Sequence, residues 1–219
     1  AREMEEKANR GIYSGEYLAC WESQRDAVIE QLSESDGPIV DLASGRCYLV
    51  EEMARRVARP IVATDVSPRV LRQSQQRLKS FGLYDEISLL AYDARRTPFK
   101  DGVVKTLTTN LGLPNVEHPD NLLIELRRIG GGRFLAVSHF YPEEDEANAA
   151  ALREAGLSRL IFHDAAVDGF VAAGWDVELV NECRSKAEPS PRSTVLGGAQ
   201  IDAFPVAETV LDWCVLVAR

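Results

Sequence analysis

Residues 38–65 read PIVDLASGRCYLVEEMARRVARPIVATD, and the reading of the whole chain follows from them. A short apolar run, Ile39 and Val40, ends in Asp41. Three small residues, Ala43, Ser44 and Gly45, make a turn. A helical pattern follows, with Leu49, Val50, Met53 and Val57 on one face. A second apolar run, Ile61 to Ala63, leads to another carboxylate, Asp65. The unit is strand, turn, helix, strand, with an acid at the tip of each strand. That is the layout of a nucleotide-type cofactor site.

A backbone that passes close to a ligand leaves no room for side chains, so the small residues at 43–45 keep the turn thin. The helix beginning near Cys47 aims its free N–H groups and positive dipole end at whatever lies over the turn. Asp65, twenty residues beyond Gly45, is placed to accept hydrogen bonds from ribose hydroxyls. Two carboxylates without a neighbouring phosphate-binding lysine favour a ligand with adenosine and a positive charge over a polyphosphate. The same residues also suffice for a tight strand–helix turn with no ligand at all.

A chain of 219 residues is read as one domain, large enough to bury its own core. Residues 1–33 form an N-terminal helical cap, 34–183 a cofactor-binding core, and 184–219 an excursion with a final strand. The formal net charge of −9 argues against non-specific binding to nucleic acid or an anionic membrane. No apolar run is long enough to span a bilayer and no signal-peptide pattern opens the sequence, so a cytoplasmic location is expected. The cysteines at 20, 47, 183 and 214 lack metal-ligand spacing and stand apart from the three histidines. They are expected to be reduced, with no metal site.

In chain order, Ser14 is an N-cap for a helix reaching about Leu32, with Tyr17, Trp21, Val28 and Leu32 on one face. Trp21 reads as core. Tyr13, one turn before Tyr17, gives an aromatic pair suited to a lid. Ser67 caps a helix with Pro68 at its first position, and Gly82 stops it. Strands are expected at 87–91, ending before Asp93, and at 103–109, leading into Asn110, Leu111 and Asn115. Asp120 opens a helix closed by the glycines at 130–132. A strand at 133–138 then delivers His139 and Tyr141 at its tip. Helices at 143–157 and 163–173 precede a strand at 177–181, an irregular excursion at 184–205 and a last apolar strand at 210–217.

With these residues assembled, the chain resembles a class I S-adenosylmethionine-dependent methyltransferase over roughly residues 38–218. The run Asp41, Leu42, Ala43, Ser44, Gly45 resembles the family's first motif, Asp65 its ribose-binding acid, and Asp93 with Ala94 the residues beside the adenine. The stretch TPFKDGVVKTLTTNLGLPNVEHPDNLLIELRRIGGGRFLAVS is similar to the family's central pattern, including its Glu-x-x-Arg helix. Three positions depart from it. Cys47 stands where the third glycine of the first motif would be, and either crowds the ligand or packs beneath it. Gly102, Val103 and Val104 replace an acid before the fourth strand, and Ile129 with three glycines replaces a Lys-Pro-Gly-Gly turn.

The resemblance implies a Rossmann-like, doubly wound, mostly parallel seven-stranded α/β sheet with an antiparallel last strand. It implies methyl transfer from S-adenosylmethionine, leaving S-adenosylhomocysteine, to a small-molecule acceptor. The cofactor residues are then Asp41, Ala43, Ser44, Gly45, Asp65, Val66, Asp93, Ala94, Asn110 and Leu111. Tyr13, Tyr17, Asn115 and Tyr141 face the acceptor, and His139 is the candidate base. Two alternatives share the fold: a non-catalytic binding module and an NAD-linked oxidoreductase, which calls for G-x-G-x-x-G where only Gly45 is present. Nucleic-acid methylation is disfavoured, because the fourth strand tip lacks an Asn/Asp-Pro-Pro-aromatic motif.

Overall fold

Seven stretches of β-prone sequence pair into one sheet in the computed structural model, which describes residues 13–33, 36–189 and 204–219. The strands are β1 (Ile39–Leu42), β2 (Ile61–Asp65), β3 (Ile87–Ala91), β4 (Val104–Asn110), β5 (Gly130–Phe140), β6 (Val177–Ala187) and β7 (Thr209–Ala218). Their order is β3-β2-β1-β4-β5-β7-β6. The first five pair in parallel, and β7 is antiparallel to both β5 and β6. This is the expected Rossmann-like sheet with its antiparallel last strand. The order reverses between β1 and β4, and a crevice opens at the carboxyl ends of strands at such a switch point.

Among the described residues six α-helices flank the sheet: α1 (Gly15–Leu32), α2 (Tyr48–Arg56), α3 (Pro68–Ser80), α4 (Pro119–Ile129), α5 (Glu146–Glu154) and α6 (His163–Ala172). Their apolar faces split the core in two. On one side Val28 and Leu32 of α1, Leu49 and Met53 of α2 and Leu78 of α3 meet Ile39, Ile61 and Trp213 of the sheet. On the other, Leu122, Leu123 and Leu126 of α4 and Phe170 of α6 meet Leu107, Phe134 and Trp175. Each side chain so buried contributes about 1.5–3 kcal/mol. Helix starts follow their local chemistry: Ser14 Oγ accepts from Tyr17 N, and Ser67 Oγ from Val70 N with Pro68 at the first position.

Four differences from the sequence reading bear on the fold. Helix α4 begins at Pro119 rather than Asp120, after His118 in a left-handed conformation. Helix α5 covers only Glu146–Glu154 of the span 143–157. Strand β6 runs on to Ala187, six residues past the expected end at 181, because a bulge near Asn181 lets the pairing with β7 resume. Of the excursion at 184–205, residues 184–187 therefore belong to the strand, and 190–203 lie outside the described residues, as do 1–12 of the cap.

The fourth concerns the glycines at 130–132, which open β5 instead of forming a turn. The first turns of β5 press so closely on the chain entering β4 that a Cβ on Gly131 would collide with the Gly102 carbonyl, and one on Gly132 with the Lys105 carbonyl. A glycine pair is what lets the two backbones approach. Gly132→Ala is therefore expected to destabilise the fold by about 2 kcal/mol or more in urea unfolding. Gly15→Ala, where an added Cβ meets nothing within 4 Å, is expected to leave stability unchanged or slightly raised.

Candidate active site

The loop leaving β1 is built by a small set of hydrogen bonds to β2. Ser44 N donates to the Thr64 carbonyl (2.8 Å) and Ser44 Oγ to the Asp41 carbonyl (3.0 Å). In return Thr64 N donates to Ser44 Oγ (3.0 Å), and Thr64 Oγ1 to the Asp41 carbonyl (2.9 Å). With Ser44 clamped this way, Ala43, Gly45 and Cys47 take positive φ values of 49°, 50° and 62°. Residues 43–45 are partly buried and carry no side chain longer than serine, and Arg46 beyond them is exposed. Gly112, in the turn after β4, lies against the loop: an added Cβ would stand 2.8 Å from Ala43 Cβ and 2.5 Å from Thr109 Oγ1.

The two strand-tip acids have different surroundings. Asp41 is buried, 1% exposed, with Oδ1 accepting from Thr108 Oγ1 at 2.6 Å. Burial pushes its pKa up to about 6, against the pull of hydrogen bonds from Ser44 and Thr108, and Asp65 adds to the rise. Asp65 is half-buried. Its Oδ2 accepts from Gly45 N (3.0 Å) and its Oδ1 from Ser67 N (2.8 Å). A carboxylate has about four lone-pair positions, so Asp65 keeps acceptor capacity for a pair of ribose hydroxyls. The residues present thus fit an adenosyl ligand.

Around that loop the other expected cofactor residues fall on neighbouring strand tips. Val66, 72% exposed, is a large apolar side chain in solvent beside Asp65. Asp93 holds Arg95 in a bidentate pair, Nε to Oδ1 at 2.9 Å and Nη2 to Oδ2 at 2.7 Å, and this keeps its carboxyl below the usual range. Ala94 packs on the second core cluster. Asn110 closes β4, and Leu111, at φ 55°, donates its N–H to the Val137 carbonyl. Cys47 is turned into the core at 1% exposure, with burial raising its thiol to about 12, so it packs beneath the loop.

On the other flank the aromatic residues gather around His139. That residue lies within β5 rather than beyond its end, because β5 continues to Phe140 against β7. Tyr17, Tyr141 and Trp213 meet its ring edge to face at centroid distances of 6.1, 5.7 and 4.8 Å, and Tyr13 stacks on Tyr17 at 4.6 Å. His139 is 4% exposed, neither ring nitrogen has a hydrogen-bond partner, and burial pushes its pKa down to about 3. Asn115 donates Nδ2 to the Leu111 carbonyl at 3.2 Å, while its buried Oδ1 has no partner. Tyr13, Tyr17, His139 and Tyr141 are therefore brought together. Asn115 stands on the adjoining β4 exit.

Several participants were not singled out for the site from sequence. Trp21, read as core, donates Nε1 to Asn110 Oδ1 at 3.0 Å and so carries α1 onto the β4 tip. Ser74 of α3 donates to the Gly45 carbonyl at 2.8 Å. Trp213 arrives from β7, far along the chain. The spacing of Trp21 one turn after Tyr17 was the available signal for the first; nothing local marks the others. The Glu-x-x-Arg pair is structural: Glu125 accepts from Thr97 N (2.7 Å) and Arg128 (2.6 Å), pinning the turn before β4. A groove between α1 and residues 56–59 lies at the entry to β2, the opposite end of the strands from this loop. Among the described residues no group of three or more His, Cys, Asp and Glu is placed to hold a metal.

The Asp41 shift has a testable sign. Its folded pKa lies above the ordinary 3.8, so its favourable contribution is complete below about pH 4 and is lost as pH rises through 6. A rise from 3.8 to about 6 corresponds to about 3 kcal/mol. Asp41→Asn keeps the acceptor for Thr108 and removes the charge. Urea unfolding at pH 4.5 and 7.5 is expected to show the variant gaining on the wild type by up to that amount at the higher pH. A difference independent of pH would show that Asp41 titrates normally.

Comparison with known proteins agrees with this geometry. Residues 39–130 match the family described as a methyltransferase domain. The ubiquinone/menaquinone biosynthesis C-methyltransferase UbiE of Burkholderia mallei is 32% identical over 105 residues, 46% of this chain and 42% of that one. The chain spans less than half the length of the curated relatives it matches. The YcgJ protein of Bacillus subtilis superposes with a TM-score of 0.70 at 13% identity, covering 89% of this chain and 97% of that one. The cyclase SpnF superposes with a TM-score of 0.63 at 16% identity, covering 89% and 79%. At these identities the solved structures show the fold alone. Sequence match, strand order and loop geometry coincide on the same crevice, and residues 39–130 carry the methyltransferase-domain sequence on a Rossmann-like sheet.

Proposed function

We propose that this chain transfers a methyl group from S-adenosylmethionine to a small-molecule acceptor bound between α1 and β5. The observation that carries the reading is Asp65. It sits at the tip of β2, held by Gly45 N and Ser67 N, beside a loop of small residues in which Ala43 and Gly45 are left-handed. Bound there, the cofactor supplies a sulfonium-activated methyl carbon. The loop at 43–45 passes beneath it, and Ser44 and buried Asp41 hold that loop. Asp65 accepts from the ribose hydroxyls, Val66, Asp93 and Ala94 border the adenine, and Asn110 and Leu111 border the methionyl end.

The acceptor side is the aromatic cluster. Tyr13, Tyr17 and Tyr141 exclude water from the reacting atoms, and Asn115 offers an unpaired acceptor. His139 was expected as a base. Buried as it is, its pKa of about 3 makes it a weak one, and the ring is neutral at physiological pH with one donor and one acceptor to offer. Its part here is to orient the acceptor by a hydrogen bond. Orientation and desolvation supply much of the rate enhancement in such an in-line displacement.

Asp65→Ala is expected to weaken binding of S-adenosylhomocysteine by about ten- to a hundredfold in titration calorimetry, with the far-ultraviolet circular dichroism unchanged. Unaltered affinity would remove the cofactor from this loop. With an acceptor found by a turnover screen of phenols, amines and thiols, His139→Gln is expected to raise KM for the acceptor and leave S-adenosylhomocysteine affinity intact. An unchanged KM would return His139 to a purely structural role.

A further inference from the structure

Two cysteines that the sequence places 163 residues apart meet between α1 and β6. Cys20 Sγ and Cys183 Sγ lie 2.7 Å from each other. The site around them is built. The bulge in β6 puts Asn181 at φ 57°, and the register with β7 resumes at Cys183 opposite Trp213. Gln24, fully buried one turn after Cys20, donates Nε2 to the Asn181 carbonyl at 2.8 Å and to Cys183 Sγ at 3.4 Å. Asn181 Nδ2 returns a hydrogen bond to Gln24 Oε1 at 3.2 Å. Cys20 Sγ in turn donates to the Arg184 carbonyl at 3.4 Å. Both thiols are thus held face to face by side chains from α1 and by the bulged backbone of β6. The other two cysteines, Cys47 and Cys214, are free and buried at 1% and 2% exposure.

We propose that Cys20 and Cys183 are a disulfide-forming pair, a modification site that cross-links helix α1 to strand β6. A disulfide needs its sulfurs at about 2.05 Å, so roughly 0.7 Å of movement closes the bond. Cys183 is half-buried and Cys20 is buried, which sets the order of events with a low-molecular-weight disulfide as oxidant. The Cys183 thiolate attacks one sulfur of the small disulfide, whose other sulfur leaves as a thiolate. The Cys20 thiolate then attacks Cys183 Sγ and expels the second small thiolate. Two protein thiols are oxidised, one small disulfide is reduced to two thiols, and the two cysteine protons pass to them through solvent. The bond fixes α1 one residue before Trp21 and one turn after Tyr17. It therefore ties down the helix that lies over the acceptor side; that consequence rests on the methyl-transfer reading, whereas the bond does not.

The purified protein is incubated with excess oxidised glutathione, denatured, and alkylated with N-ethylmaleimide for intact mass and non-reducing peptide mapping. Two maleimides, on Cys47 and Cys214, are expected, with one linked peptide joining Cys20 to Cys183. Four maleimides, a glutathione adduct that persists on Cys183, or a link that includes Cys47 or Cys214 would overturn the proposal. Cys20→Ser is expected to stop at the glutathione adduct on Cys183, and Cys183→Ser to give no link; either variant alone decides the point if the other fails to fold. Closing so long a loop is expected to raise the Tm of the wild type by roughly 5–10 °C over its reduced form, and not that of Cys183→Ser. A linked form that melts no higher than the reduced one would show a bond made outside the native fold, and would equally overturn it.

Discussion

The clamp of Ser44 on β2 is the constraint on which the crevice depends. One side chain and two backbone groups of the β1 loop exchange hydrogen bonds with Thr64, and both residues also hold the Asp41 carbonyl. Individually such bonds contribute about 0.5–1.5 kcal/mol. Their joint effect is geometric. They fix the loop so tightly to the neighbouring strand that Ala43 and Gly45 are carried into left-handed conformations, and Gly45 N is left facing the Asp65 carboxylate. The same loop lies against Gly112, so the exits of β1 and β4 are in close contact. Asp41 is sealed beneath the loop. Its raised pKa is the electrostatic cost of placing a carboxyl where only two hydroxyl groups can reach it.

What could be read in the sequence was what local rules dictate. Asp65 stood out because a strand must deliver it and a short turn must precede it, and Ser67 with Pro68 because capping is decided within four residues. The acids at the strand tips were legible for the same reason. His139 was misplaced by a strand end, since whether β5 stops at 138 or continues to Phe140 depends on β7, which lies more than seventy residues later. The glycines at 130–132 looked like a turn, and only the approach of the chain entering β4 makes them a strand. Trp21 read as core on the face of α1, and its bond to Asn110, like the position of Trp213, depends on α1 crossing the β4 and β5 exits. Cys20 and Cys183 are isolated in sequence and adjacent across α1 and β6.

Cys47 shows how a departure from a glycine pattern is accommodated. A non-glycine residue at φ 62° costs about 1–2 kcal/mol, and a buried thiol of raised pKa adds nothing to the chemistry of the loop. The side chain offsets part of that cost by filling core space with Leu49, Val50 and Met53, while its carbonyl accepts the first helical hydrogen bond from Glu51 N. Ala43 faces the same backbone demand with a smaller side chain and with Gly112 pressed against it. The loop therefore keeps a glycine-like path with one glycine, at some cost in stability.

The two halves of the crevice differ in how their polar groups are satisfied. On the proposed cofactor side Asp65, Asp93, Ser44 and Asn110 all have protein partners, a surface preorganised for a ligand. On the proposed acceptor side His139 has two unpaired ring nitrogens and Asn115 one unpaired oxygen, all buried. Leaving such groups without partners costs about 1–3 kcal/mol each. A fold tolerates that where another molecule supplies the missing partners. The covering aromatic rings, Tyr13 and Tyr17, come from the N-terminal segment and α1 rather than from the sheet. On the proposed reading, admission of an acceptor to His139 requires displacement of those rings and not of the strands that hold the loop at 43–45.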